Sequence, residues 1–377
     1  MPANEHAVAS SASSKPPSPD RNVKSVVLGN IRFKTWFHSL YPEELVGKDT
    51  DRIYVCRWCF RYSCDKDAYL GHTRFCEHRS SPPGTKVYDW RGYSVWEIDG
   101  EDHKLYAQNL SLFAKLFLDH KSVFFDVSSF LYYILVFTNP QDANDYHVLG
   151  YFSKEKMSWD ANNLACILIF PPYQHKQLGK LLMGVSYKLS AWEWEGGIIG
   201  GPERPLSEMG RRSYVRFWEE RISRFFLLGP PGAEPYGRNI ASASTSSSWS
   251  PRPMGGDSKG AKRKAACEEM TIREIGQATG MLVEDVITAL KEMGIVESEK
   301  PGKKRKRAPL SSTATTTTAT GVVDSDAAEA VVRKQSVLEW AKIHRVDLKD
   351  PVAEEGFLGE WAPEDEDQED EETDSGD

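Results

Sequence analysis

No stretch of the 377 residues is apolar for long enough to cross a bilayer, and Met1 to Asp20 is rich in Ser, Pro and Ala with none of the apolar core of a secretory leader. Neither secretion nor a membrane span is expected. Cysteine is scarce: there are six, four of them between residues 56 and 76, too few for an extracellular disulfide scaffold in a chain this long. A reducing compartment follows. Aromatic residues are missing from residues 1–25, which are expected to be disordered. Basic residues are missing from Glu364 to Asp377, where ten acidic ones gather. Taking those ten from the formal net charge of −8 leaves a body near +2.

What is present is enough apolar residue, 40%, for an enzyme-sized core. The most informative segment runs from Asn163 to Leu182, where an apolar strand (Leu164 to Phe170) leads into a polar turn, Gln174-His-Lys-Gln177-Leu-Gly179-Lys180, that opens a helix. Such a turn aims several backbone N–H groups and the positive end of a helix dipole at one point, so it can hold an anionic pyrophosphate. Some twenty residues later, Gly200-Gly-Pro-Glu203-Arg-Pro-Leu-Ser207 places a carboxylate and a hydroxyl four residues apart in a Pro- and Gly-locked turn.

The cysteine cluster is Cys56-x2-Cys59-x12-His72-x3-Cys76. Three thiolates and an imidazole at this spacing let a turn and a following helix wrap one tetrahedral Zn²⁺. With four protein ligands no position is left for water, so the metal is expected to be structural. Cys64 is a spare thiol, and His78 competes with Cys76 for the fourth place. Around these segments, alternation predicts strands at 31–37, 87–98, 123–127, 130–137 and 147–152. Helical spacing marks 105–118, 179–195 and 209–226, the last with a stripe of Tyr214, Phe217, Trp218 and Ile222 that reads as core. Residues 271–294 predict a helix, a turn at Gly280 and a second helix. Those helices are short of Lys and Arg, so a structural role is preferred to DNA binding.

The two site segments at this spacing resemble the acetyl-CoA site and catalytic glutamate turn of the MYST family of histone acetyltransferases, and the cysteine cluster resembles the finger that begins MYST domains. The helix-turn-helix and the closing Trp361-Ala-Pro363 extend the likeness from about Val26 to Pro363. The resemblance implies an α/β fold, with a central mixed sheet of the GNAT acyltransferase type, the finger before it and the helix-turn-helix after it. The implied organisation is a disordered start (1–25), finger plus catalytic core (26–230), a disordered insertion (231–268), the helix-turn-helix (269–300), a basic and low-complexity linker (301–335), the domain's end (336–363) and an acidic tail (364–377).

By the same resemblance the protein transfers acetyl from acetyl-CoA to a lysine of a histone tail, H4 first. Glu203 is the general base, since an amine must lose its proton before it attacks a thioester. A partly apolar pocket would raise the carboxyl's pKa toward neutrality. On the residues alone, Glu203 could equally be a turn carboxylate paired with Arg204. Cys166 takes the active-site cysteine position, as a transient acyl acceptor or, preferred here, as a pocket-lining residue beside direct attack by lysine. The backbone of Ile167, Leu168 and Ile169 would hold the pantetheine arm, Gln174, His175, Lys176, Gln177, Leu178, Gly179 and Lys180 would cradle the pyrophosphate, and Ser207 would sit near the sulfur. Lys121 matches an autoacetylated position.

One departure stands out: Gln177 replaces the first glycine of the family's turn. The chain is similar to the short silencing-associated fungal branch, as no reader domain precedes the core. Basic clusters at Lys262 to Lys264 and Lys303 to Arg307 read as nuclear import signals. The implied partners are histone tails or nucleosomes and a chromatin complex, with weak DNA contact and no membrane. The competing class is a catalytically weak or inactive chromatin- or DNA-binding protein on the same scaffold.

Overall fold

The computed structural model describes residues 21–160, 162–193, 200–229, 268–296 and 328–363. The basic clusters, the insertion, the acidic tail and residues 1–20 lie outside the described residues. The described residues fall into two compact units, one within 1–83 and 100–128, the other within 84–99 and 129–377.

In the first unit β1 (Val23–Leu28), β2 (Ile31–Lys34), β3 (Thr50–Val55) and the two-residue β4 (Tyr62–Ser63) form a sheet in the order β2-β1-β3-β4. The β1–β3 pair is parallel and the others antiparallel. Order therefore begins earlier than the composition of residues 1–25 suggests. Val23 and Val26 are fully buried against this sheet, and two β-branched anchors suffice to fix a strand that has no aromatic residue. Helix α1 (Lys66–Arg74) is capped by Asp65, whose side chain accepts from the Asp67 N–H. Helix α2 (Lys104–Lys115) buries Leu110, Phe113 and Ala114, and Leu116 just beyond it accepts from the backbone N–H groups of Trp36 and Phe37. Residues 123–127, expected as a strand, form none. Phe124 and Val127 are buried without a partner strand, so their apolar spacing reflects burial and not pairing.

The second unit is built on β5 (Thr85–Trp90), β6 (Tyr93–Asp99), β7 (Phe130–Asn139), β8 (Asp142–Glu155) and β9 (Cys166–Ile169), in sheet order β5-β6-β7-β8-β9. All four pairings are antiparallel, not mixed as expected. The parallel element is confined to one bridge, Leu164 to Pro202, just before β9. The single expected strand at 87–98 is a hairpin turning at Arg91 and Gly92, both at positive φ (52° and 83°), the geometry that two-residue hairpins require. Gly150 on β8 marks a tight passage. A Cβ there would lie 2.4 Å from the Leu168 carbonyl oxygen of β9.

Among the described residues five helices complete this unit: α3 (Leu178–Glu193), α4 (Glu208–Leu228), α5 (Ile272–Thr279), α6 (Val283–Glu292) and α7 (Lys334–His344). Helix α4 is the hub, packed on α3, α5, α6 and α7. Its Tyr214, Phe217, Trp218 and Ile222 are at most 1% exposed, which makes the apolar stripe core. Helix α5 opens with a capping box between Thr271 and Glu274 and stops at Gly280 in the left-handed conformation (φ 64°). Strands β10 (Glu269–Thr271) and β11 (Val331–Arg333) pair antiparallel, so the expected linker 301–335 ends in ordered structure. The last segment returns to the sheet, where Leu358 donates to the Val87 carbonyl and Phe357 packs on Tyr88. No helix of the described residues is long and apolar enough to cross a membrane.

Candidate active site

In the first unit the chain turns after β3 through Cys56 and Cys59, and α1 brings His72 and then Cys76 back to them. The four ligand atoms lie within 4.8 Å of one another. Cys56 Sγ is 3.8 Å from Cys76 Sγ, and Cys59 Sγ is 3.2 Å from His72 Nε2. A tetrahedron with Zn–S bonds of about 2.3 Å has edges of about 3.8 Å, so the donor types and their spacing fit zinc. The Cys56 thiol is pushed down to about 3, chiefly by a hydrogen bond from Cys59 and then one from Cys76, and a thiolate is the ligand form. Cys64 is exposed and turned to the Leu45 carbonyl, while His78 lies against Glu77 and the Tyr106 ring. Neither joins the cluster.

In the second unit β9 is the edge strand, so one alternating set of its backbone groups has no strand partner among the described residues. Cys166 stands half-buried at its start. After β9 a short helical turn, Pro171–Tyr173, leads to Gln174, whose side-chain amide donates to the Ile169 carbonyl (2.8 Å) and closes the loop. His175 and Gln177 both have φ of 63°, and α3 begins at Leu178. Its first N–H groups lack intrahelical partners by construction and carry the positive end of the dipole. A Cβ on Gly179 would approach nothing closer than Ile169 Cγ1 at 4.0 Å, so the front of the turn is open.

The turn faces a cavity of ≈370 Å³. Lys176, Gln177 and Lys180 form one wall, Trp90 and Tyr93 of the hairpin another, and residues 347–353 a third. The last two walls escaped sequence reasoning, because nothing in either segment signals that the fold carries it to the turn. The Lys180 ammonium is held by Glu220 of α4 at 2.5 Å, both side chains being largely buried, and Arg216 shares the same carboxylate oxygen at 3.2 Å.

Glu203 arrives on the chain that runs beside the approach to β9. Its backbone N–H donates to the Leu164 carbonyl (2.9 Å), and the Asn163 N–H donates to the Gly201 carbonyl (2.9 Å). This brings the glutamate to the level of Leu164, two residues before Cys166. Its side chain is exposed, so the apolar pocket expected around the carboxyl is not formed by the described residues. The Arg204 guanidinium pairs with Asp285 of α6. Ser207 is the N-cap of α4, its hydroxyl accepting from the Gly210 N–H (3.1 Å). Lys121, in the first unit, is buried, with 6% of its surface exposed.

Residues 81–245 match the model of the MOZ/SAS family, and residues 20–76 match the MYST family zinc finger domain. The chain belongs to the MYST family. It is 35% identical over 275 residues to the histone acetyltransferase MOF of Drosophila melanogaster, covering 73% of this chain and 28% of that protein. Over the same length it is 35% identical to the histone acetyltransferase Tip60 homolog of Caenorhabditis elegans, 51% of which is covered. To the histone acetyltransferase of the MYST family 1 of Arabidopsis thaliana it is 43% identical over 198 residues, 52% of this chain and 42% of that protein. The chain spans about half the length, or less, of these relatives.

For a MYST-family chain, Gln177 is the site's anomaly. A residue with a Cβ in the left-handed region costs about 1–2 kcal/mol, and a glycine there costs about 0.5–1 kcal/mol in unfolded-state entropy. Gln177→Gly is therefore expected to stabilise the protein, by under about 1.5 kcal/mol. Urea unfolding checks this, and a destabilised variant would mean that the glutamine side chain contributes contacts outweighing its backbone strain.

Proposed function

We propose that the protein transfers the acetyl group of acetyl-CoA to a lysine side chain of a histone tail, with Glu203 as general base. The observation that carries this reading is the edge of β9 running into an open, dipole-backed turn, with Glu203 hydrogen-bonded beside the approach to that same strand. In this reading the outward backbone groups of Ile167 to Ile169 pair with the amide-bearing arm of the cofactor as an added strand would. Gln174 to Lys180 receive its pyrophosphate through main-chain N–H groups, and the cavity beside Gln177 takes the rest of the nucleotide end. The acetyl thioester then lies near Cys166, which lines the site.

A lysine of the incoming tail gives its proton to Glu203, and the free amine attacks the thioester carbonyl, releasing the CoA thiolate. The exposed carboxylate suits that order of events, since the peptide itself covers Glu203 and supplies the apolar surroundings that raise its basicity. Lys121 remains the position proposed to be acetylated by the enzyme itself, and the basic clusters support placement in the nucleus.

The test is radiolabelled acetyl-CoA with each recombinant histone in turn, using zinc-loaded protein. Label on H4 above the other histones is expected, and no label on any histone would remove the reading. One observation favours a weaker enzyme: Gln177 lines the cavity assigned here to the cofactor. If Gln177 crowds the pyrophosphate, Gln177→Gly binds CoA several-fold more tightly by calorimetry.

A further inference from the structure

Glu203 is held from two sides. Toward the sheet, the hydrogen bonds at Asn163 and Glu203 and the bridge from Leu164 to Pro202 fix residues 201–203 to the strand approach. Toward the helices, α6 meets the same turn at Gly201 and at Arg204, the positions that bracket Glu203. A Cβ on Gly201 would lie 2.6 Å from Leu282 Cδ1 and 2.9 Å from Asp285 Oδ2, so the backbone rests directly on the helix. Arg204 reaches over the Trp218 ring, 5.9 Å from its centroid, to pair with Asp285 Oδ1. Asp285 is fully buried, and its other oxygen has no hydrogen-bond partner among the described residues. Arg204 is thus its one cationic anchor among the described residues, and a buried carboxylate so placed resists any movement that separates them.

We propose that Asp285, acting through Arg204, is a positioning residue that holds the Glu203 turn against the approach to β9 and sets the distance between base and thioester. The inference rests on the reading of Glu203 as the base. It also gives the helix-turn-helix a task, that of a clamp on the catalytic turn, which agrees with its shortage of Lys and Arg.

The clamp responds to pH. The groups facing Asp285 are Arg204 of the turn, Glu284 of its own helix, Tyr187 of α3 and Tyr214 of α4. Burial raises the Asp285 carboxyl to about 7 against the opposing pull of Arg204. The pair is therefore ionic above neutrality and loses its charge below it. Because the folded-state pKa lies above the unfolded value, the folded protein binds this proton more tightly, and stability from this group falls as pH rises toward about 7. An uncharged isostere at position 285 thus does not lower stability at about pH 8.

The test compares wild type with Asp285→Asn and Arg204→Ala. Each variant is expected to lower kcat about 10- to 100-fold with KM for acetyl-CoA unchanged, and the double variant to be no slower than the worse single one. The ratio of wild-type to Asp285→Asn rates is expected to approach one as pH falls below neutrality. Amide exchange gives a readout independent of activity: the Glu203 N–H exchanges at least about tenfold faster in Asp285→Asn, a loss of about 1.4 kcal/mol of protection. A melting temperature at pH 8 that falls in step with kcat would reduce Asp285 to a structural residue and overturn the proposal. So would full activity in an Asp285→Asn protein with unchanged exchange. A wild-type protein that transfers no acetyl removes the proposed function, while the exchange measurement still decides whether Asp285 holds the turn.

Discussion

Replacing Glu203 with glutamine is expected to lower acetyl transfer about 10²- to 10⁴-fold, the usual contribution of a positioned base, while zinc content and CoA binding stay as in wild type. The size follows from the amine. A lysine side chain has a pKa near 10.4, so at neutral pH fewer than about one in a thousand is deprotonated, and an ammonium has no lone pair to offer a thioester. Glutamine keeps the shape of the turn, since the hydrogen bond to Leu164 comes from the backbone of residue 203 and not from its side chain. The measurement is kcat at saturating acetyl-CoA and peptide, with CoA affinity by calorimetry as control. A variant within threefold of wild type would show that proton removal lies elsewhere. Cys166→Ala separates the two routes for the acetyl group: direct attack predicts activity within about tenfold of wild type, whereas an acyl-cysteine route predicts its loss together with the burst of CoA release.

Chelating the metal, or changing Cys76 to serine, is expected to unfold residues 56–79 while leaving the second unit intact. Helix α1 buries one side chain, Tyr69, so the helix has almost no apolar core of its own, and the segment's one fully buried ring, Phe60, is anchored on Tyr106 and Phe113 of α2. Binding of a structural zinc contributes about 10–16 kcal/mol in small fingers, as much as or more than the 5–15 kcal/mol that holds a whole domain. The sheet β1–β3 and helix α2 bury Val26, Ile53, Val55 and Phe113 completely, so the loss stays local. Limited proteolysis checks it. Cleavage between Lys66 and Arg79 should appear on chelation and disappear when Zn²⁺ is restored, with α4 protected throughout. Simultaneous loss of both units would show that the cluster supports the entire molecule.

Spacing alone revealed the metal ligands, because a tetrahedral ion dictates which residue types recur and at what intervals. The apolar stripe of α4 was legible for a similar reason: helical periodicity records burial directly. Other features left weaker traces. Arg91-Gly92 breaks an alternating run without changing its period, so a hairpin looks like one long strand until the two positive φ values are seen. The apolar spacing at 123–127 signals burial but not a partner. The parallel contact beside the sheet is one isolated bridge, too small to leave a pattern. Within the site, Glu203 and the turn at 174–180 are singled out by the family resemblance more than by residue type, and their setting leaves no trace in the sequence. The pairing of Lys180 with Glu220 and of Arg204 with Asp285 spans 40 and 81 positions, and long-range ion pairs have no local signature. Gln177 is the clearest case. Its identity marked a departure from the family's glycine, yet only the backbone showed that the departure keeps glycine's conformation and accepts the strain.

Backbone amide exchange with and without CoA tests the heart of the proposed mechanism, the holding of a thioester carrier by main-chain groups beside Glu203. Slower exchange at Ile167 to Ile169 and at Gln174 to Lys180, with little change in α7, is the expected pattern. Exchange in both segments left unaltered by saturating CoA would contradict it.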